Sequence, residues 1–307
     1  MSATAVRERV WFDGSLAEPQ SVAIGPLTHA LHYGTGAFEG IRAYETARGT
    51  GVFRLRDHLR RLDASAAVYG LRIEYSQEQL ATAIFDTLRA NSLTTAYIRP
   101  LAYFGEGGIA LTPRLRCPTH VLIALVPFSG SLLGEKSAVR ATISSWRKTP
   151  SSSLPSTAKV CGHYTNSILA THEALSRGYD EAILLNDRGE VAEGSGENVF
   201  AVRNGRLFTN DARADILEGV TRASIIELAR DRGIPVTIGA ITVEALKGAD
   251  EVFLTGTAAE VMPVSQIDDR TFSATHPVAD LLRDAYAKAV RGLDPLHDDW
   301  AEYDAHG

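Results

Sequence analysis

Two residues in one stretch of the chain have types that could work as a pair. Lys159 stands in Leu154-Pro155-Ser156-Thr157-Ala158-Lys159-Val160-Cys161-Gly162-His163-Tyr164, among small and apolar neighbours. A lysine becomes a nucleophile when its amine is neutral, and burial or a nearby cation achieves that by lowering its pKa. Glu193 opens Glu193-Gly194-Ser195-Gly196-Glu197-Asn198, a glycine-rich turn that presents a carboxylate. A carboxylate facing a heterocyclic nitrogen keeps that nitrogen protonated. Together they point to a ligand with an aldehyde at one end and a ring nitrogen at the other.

Other candidates add anion-binding capacity. Thr221, after Gly219, reads as the N-cap of a helix over 223–232, and a helix start after glycine offers free amides and a favourable dipole to an anion. Thr255-Gly256-Thr257-Ala258-Ala259-Glu260 is a second cluster of amides and hydroxyls near a strand end. Arg61 lies beside the apolar face of a helix, either solvated or turned inward as a phosphate clamp through its planar fork of donors. Tyr97 and Arg99 share one face of a strand by the two-residue period and suit a carboxylate, or else form an exposed polar face. Tyr33, Phe38 and Arg42 belong to a glycine-containing segment, His32-Tyr33-Gly34-Thr35-Gly36-Ala37-Phe38-Glu39-Gly40-Ile41-Arg42, and are candidates for a pocket wall or a structural aromatic pair. An amine nucleophile, a carboxylate, two amide-rich anion sites and an inward-capable arginine fit pyridoxal phosphate, which has an aldehyde, a ring nitrogen and a phosphate.

The elements that must position these groups are legible from periodicity. Val10 to Leu16 reads as a hairpin turning at Asp13-Gly14, and Ser21 to Ile24 as a short strand. A helix follows Asp57 as its cap, with Leu55, Leu59, Leu62 and Ala66 on its apolar face. Ser76 to Asn91 is a capped amphipathic helix, and Thr95 to Phe104 and His120 to Pro127 are strands. Ser129 to Gly134, with its small residues and glycines, is the linker candidate, so the chain divides into 1–128, a linker at 129–136, and 137–307. The second part begins with a strand over Val139 to Trp146. A helix over Asn166 to Ser176 follows, with Ile168, Leu169, His172 and Leu175 on one side. A run of short strands then includes a hairpin at Asn204-Gly205. A closing helix covers Val278 to Val290.

Bulk properties narrow the partners. The chain has 307 residues, 45% hydrophobic and 22% charged, with a formal net charge of -6. That balance, with no basic run, disfavours nucleic acid. The N-terminus lacks the apolar segment of a secretory signal, and the longest apolar run is too short to span a bilayer. Two cysteines without motif spacing fit a reducing cytoplasm, and no histidine spacing indicates a catalytic metal.

Several segments carry a resemblance. Tyr33-Gly34-Thr35-Gly36-Ala37-Phe38-Glu39-Gly40-Ile41-Arg42, Ala96-Tyr97-Ile98-Arg99-Pro100, Ala158-Lys159, Glu193-Gly194-Ser195-Gly196-Glu197-Asn198 and Thr255-Gly256-Thr257-Ala258-Ala259-Glu260 resemble branched-chain amino acid aminotransferases, in the same order along the chain. These are fold type IV pyridoxal-phosphate enzymes. The resemblance implies an α/β (α+β mixed) fold with a small N-terminal domain and a larger C-terminal one whose mainly β core is flanked by helices. It implies that Lys159 forms the internal aldimine and shuttles a proton, Glu193 pairs with the pyridine nitrogen, and Tyr164 hydrogen-bonds the phenolic oxygen. Arg61, the amides of Val220 and Thr221, and Thr257 would hold the phosphate. The Thr257-Ala258 amides and Tyr97 would bind the substrate α-carboxylate. Tyr33, Phe38, Arg42, Tyr97 and Arg99 would contact substrate, Arg99 through the distal carboxylate of glutamate. The implied reaction is amino transfer between Leu, Ile or Val and 2-oxoglutarate, by at least a homodimer. Alternatives on the same fold are a broader transaminase taking D-amino acids or (R)-amines, and an aminodeoxychorismate lyase. The chain departs from the family pattern at Leu132-Leu133, at Gly105-Glu106-Gly107-Gly108 and at His163, which bears on substrate range rather than on the chemistry.

Overall fold

The computed structural model describes residues 8–128 and 136–304. They form two compact units. One holds the chain up to residue 128, the segment Ala158–Gly162, and the end of the chain from Ala289; the other holds 136–157 and His163–Lys288. Most of the expected linker, including Leu132-Leu133, lies outside the described residues.

The first unit is an antiparallel sheet carrying helices. β1 (Val10–Phe12) and β2 (Ser15–Ala17) form the expected hairpin, with positive φ at both Asp13 and Gly14. After α1 (His29–Tyr33) come β3 (Gly36–Phe38), β4 (Ile41–Thr46), β5 (Gly49–Phe53), α2 (Leu55–Val68), α3 (Gln77–Ala90), β6 (Ala96–Phe104) and β7 (Thr119–Pro127). The strand order is Ala301–Tyr303, β5, β4, β6, β7, β1, β2, with β3 on β6. Leu55 and Leu59 of α2, and Leu80, Ile84 and Leu88 of α3, pack on Ile41, Ile98, Ile123 and Leu125 of the sheet. Ser76 and Gln79 cap α3 reciprocally.

Two local expectations change. Ser21 to Ile24 is not a strand: Pro19–Ser21 forms a single 3₁₀ turn, with Pro19 in its first position and the Ser21 hydroxyl donating to the Glu18 carbonyl. Asp57 does not cap α2. The helix starts from Arg54 in left-handed conformation (φ 50), and Asp57, in the first turn, is taken up by Arg54 and Arg60.

The second unit is built on a mixed sheet. In chain order it contains β8 (Val139–Arg147), α4 (Tyr164–Ser176), β9 (Glu181–Leu185), β10 (Val191–Gly194), β11 (Asn198–Arg203), β12 (Arg206–Thr209), α5 (Val220–Asp231), β13 (Val236–Ile238), α6 (Val243–Lys247), β14 (Glu251–Gly256), β15 (Glu260–Ile267), β16 (Arg270–Thr271) and α7 (Pro277–Ala289). The order is β10-β9-β8-β15-β14-β11-β12-β13, with β16 on β15. β8 runs parallel to β9 and β15, and β12 parallel to β13; the other pairs are antiparallel. The Asn204-Gly205 hairpin forms, pairing Arg203 with Arg206. The fold class is the mixed one expected.

The α4 helix reverses its expected face. Ser167 is buried and Ala170 and Ala174 pack with Ala182 and Leu184, whereas Ile168, Leu169 and Leu175 are exposed. Small side chains let the helix lie close to the sheet, so the larger ones point outward.

Candidate active site

The first unit gathers one group of chemistry-bearing residues. Ala158–Gly162 runs beside β3, where Ala37 pairs with Val160 and the Phe38 amide donates to the Lys159 carbonyl at 3.0 Å. The Lys159 amide donates to the Ser65 hydroxyl of α2 at 2.8 Å. Ala158 and Val160 are buried, so the backbone of the lysine is fixed on both sides. Burial pushes its amine below the usual lysine pKa; Arg61 and Arg99 add to this, while Glu39 and Tyr97 oppose it. The ammonium nitrogen lies 5.0 Å from the centre of the Phe38 ring.

Arg61 points inward, its side chain only 15% exposed. It is held by Glu39, a fully buried carboxylate at the turn between β3 and β4. Arg61 Nε donates to Glu39 Oε1 at 2.6 Å, and Arg61 Nη2 to Oε2 at 2.9 Å. His58 Nδ1 lies 2.8 Å from the same Oε2. An ionised carboxylate only accepts, so this nitrogen carries the proton. Burial holds His58 below its ordinary pKa, against the pull of Glu39. Burial alone would push the Glu39 carboxyl up; the charges and hydrogen bonds of Arg61 and His58 outweigh it and hold the carboxyl far below its ordinary value.

Tyr97 and Arg99 share a face of β6, as expected from their spacing. Arg99 Nη2 donates to Tyr97 Oη at 3.1 Å, and its guanidinium lies 4.6 Å from the Phe38 ring centre. The Arg99 Nε is buried without a hydrogen-bond partner. A Cβ on Gly40 would sit 1.9 Å from Tyr97 Oη, so glycine lets the tyrosine close over the turn. Arg42 is buried between the rings of Tyr44 and Phe128, at 4.6 and 4.7 Å. Tyr33 is exposed, and its hydroxyl donates to the Ile109 carbonyl at 3.0 Å.

The second unit gathers the other group. Glu193 sits inside β10, and its carboxylate accepts three hydrogen bonds. Lys148 Nζ lies 2.5 Å from Oε1; Asn198 Nδ2 and the Leu217 amide donate to Oε2 at 3.2 and 3.1 Å. Asn198 also accepts from the Gly219 amide at 3.1 Å and donates to the Leu217 carbonyl at 2.8 Å. It thereby ties the carboxylate to the start of α5. Gly219 is the N-cap of that helix, and no side chain caps it. Thr221 lies inside the first turn, and the amides of Val220 and Thr221 stand at the positive end of the helix dipole. The Thr255 hydroxyl is buried without a partner. Thr257 and Ala258 form the turn from β14 to β15, and Gly256 packs against the Gly196 carbonyl. Tyr164 opens α4 and acts electrostatically on Lys148.

This donor set fits pyridoxal phosphate. A fixed carboxylate suits a protonated ring nitrogen, and an uncapped helix start with a buried, unpartnered hydroxyl suits a phosphate. A lysine whose amine is held below its ordinary pKa suits an aldehyde.

Sequence reasoning missed Lys148, Glu39, His58 and Ser65. Glu39 was visible only as part of a glycine segment. Lys148 looks like the solvated end of a strand, and no local signal distinguishes it from Arg147.

Gly219 gives a stability test. Its backbone (φ -68, ψ 142) is open to any residue, but an added Cβ would lie 2.3 Å from Asn198 Oδ1. Gly219→Ala is expected to destabilise the protein by about 2 kcal/mol in thermal unfolding, through overpacking alone.

Known proteins give these groups their context. The fold, the lysine and the carboxylate define an aminotransferase of class IV, and residues 36–267 match the family described as amino-transferase class IV. Within that class the chain belongs to the branched-chain amino acid aminotransferases. The Escherichia coli branched-chain-amino-acid aminotransferase is 41% identical over 268 residues, 86% of each chain. The crystal structure of the branched-chain aminotransferase of Thermoproteus uzoniensis with norvaline superposes at a TM-score of 0.92 and 43% identity, covering 96% of this chain and 99% of that one. The enzyme from Thermobaculum terrenum, solved in its PLP form, superposes at 0.90 and 34% identity, covering 97% and 98%.

Proposed function

We propose that this chain is a pyridoxal-phosphate-dependent transaminase that exchanges the amino group between branched-chain L-amino acids and 2-oxoglutarate. The observation that carries the reading is Lys159, strapped to the first unit's sheet with its amine pKa depressed, in a chain that matches branched-chain relatives over most of its length. Bound pyridoxal 5'-phosphate supplies an aldehyde that takes up the amino group and a ring that withdraws the electron pair left when the substrate Cα loses its proton.

The chain's residues do the rest. Lys159 as the neutral amine would act as the base that takes the proton from the substrate Cα and as the acid that returns it to the cofactor side. Glu193 accepts the hydrogen bond of the ring nitrogen and keeps its proton there. Tyr164 donates to the phenolic oxygen. Arg61, with the amides of Val220 and Thr221 and the side chain of Thr257, holds the phosphate; the bidentate contact with Glu39 fixes the plane of the Arg61 guanidinium. Tyr97 and the Thr257 and Ala258 amides hold the α-carboxylate. Phe38, Tyr33 and Arg42 contact the substrate side chain, and Arg99 pairs with the distal carboxylate of 2-oxoglutarate, for which its unpartnered Nε supplies a donor. The protein works as at least a homodimer; exposed Leu27, Leu31, Ile109, Leu111 and Leu115 in the first unit support this. No helix among the described residues is long and apolar enough to cross a membrane. We place the enzyme in the cytoplasm, a reading supported by its free Cys117 and Cys161.

Half-reactions followed by visible absorbance test the substrate. L-Leucine is expected to convert the bound cofactor at least about a hundredfold faster than D-alanine or (R)-1-phenylethylamine, the discrimination a site built for one carboxylate geometry gives. Faster conversion by either of the other two would replace this assignment with the broader transaminase. Pyruvate release from aminodeoxychorismate would replace it with the lyase.

A further inference from the structure

We propose that Lys148 is a positioning residue for the cofactor's ring nitrogen, acting through Glu193 to keep the proton they share on the nitrogen. The inference rests on the transaminase reading above and adds to it a residue in contact with the ring-binding carboxylate. Lys148 follows β8, where the ladder to β9 shifts register between Ile143 and Arg147, and its amide donates to the Leu185 carbonyl at 2.8 Å. A bulge re-aims the residues that follow it. Here the side chain goes inward: Lys148 and Glu193 are 9% and 8% exposed and lie 2.5 Å apart.

A buried ammonium is costly and persists only where a carboxylate answers it. Burial works against the charge on Lys148. The Glu193 carboxylate, by charge and hydrogen bond, with smaller help from Tyr164 and Asp215, more than offsets this and holds the ammonium above its ordinary pKa. His163, which also feels Lys148 and Glu193, is pushed toward neutrality by burial. Glu193 is therefore charge-balanced before any ligand arrives.

The consequence concerns where a proton rests. A proton between a ring nitrogen and a carboxylate goes to the more basic partner. The Lys148 ammonium on one carboxylate oxygen, and the Asn198 and Leu217 N–H donors on the other, stabilise Glu193 as the anion. Without Lys148 the proton would move toward Glu193, leaving the ring neutral and a weaker electron sink.

The test compares the parent with Lys148→Met and Lys148→Arg, each loaded with cofactor labelled with 15N in the ring. The parent and Lys148→Arg are expected to give a pyridinium-like 15N resonance. Lys148→Met is expected to move it toward neutral pyridine and to lower kcat about a hundredfold, in the range seen when one preorganised electrostatic contact is removed. If Lys148→Met does not fold, Lys148→Gln, neutral but polar, is read the same way. A pyridinium resonance and parental kcat in the neutral variant would overturn the proposal and leave Lys148 a structural ion-pair partner. A parent that takes up no cofactor would overturn the transaminase reading instead.

Discussion

Lys159→Ala is expected to abolish transamination while leaving the fold intact. The hydrogen bonds of residue 159 to Phe38 and Ser65 come from its backbone carbonyl and amide, so they survive the substitution. Loss of the amine removes both the group that reacts with the aldehyde and the base that moves the proton, so kcat should fall by about four orders of magnitude or more. The visible absorbance of the bound cofactor should change with it, and the circular dichroism should not. Full turnover in this variant would sink the assignment. The pH dependence follows from the depressed amine: Lys159 is neutral at lower pH than an ordinary lysine. An aldehyde reagent should therefore label it faster than the surface lysines at about pH 8.

Glu39→Gln is expected to have the largest effect on stability. Glu39 is fully buried and is the shared acceptor for Arg61 and His58. Removing one member of a buried pair leaves the other uncompensated, which costs about 3–5 kcal/mol. For a chain of this length that is roughly 5–8 °C in the unfolding midpoint at neutral pH. The sign with pH is defined. The folded carboxyl sits below its ordinary value of 4.5, so the stability it contributes is present above that pH and is lost as pH falls below it. Parent and variant midpoints should converge in acid. A constant gap from pH 7 to pH 3 would show that the carboxylate charge is not the cause. The variant should also hold phosphate more weakly, because Arg61 loses the partner that orients it.

Much of this was written in the sequence. The β1–β2 and Asn204-Gly205 hairpins, the Ser76 cap and the alternation of β6 follow from local rules, because turn chemistry and periodicity act over a few residues. Lys159 and Glu193 were singled out by composition, a lysine among small and apolar neighbours and a carboxylate on a glycine-rich turn. The α4 face was not, since periodicity marks rows of residues without saying which row meets the sheet, and here small side chains won by closeness. The Asp57 cap failed because two arginines outcompeted the backbone for its carboxylate. Glu39 and Lys148 were invisible because a buried charge looks like a surface one until its partner, far along the chain, is in place.

The strap that carries Lys159 has a consequence for folding order. Ala158–Gly162 pairs with β3, a strand far earlier in the chain, and leans on Ser65. Closing so long a loop carries an entropy cost that is recovered only when both partners are already shaped. The nucleophile should accordingly be among the last parts of the first unit to take its place. During refolding, fast aldehyde labelling of Lys159 would mark the moment when that sheet is finished, making the reactive amine a built-in clock for its assembly.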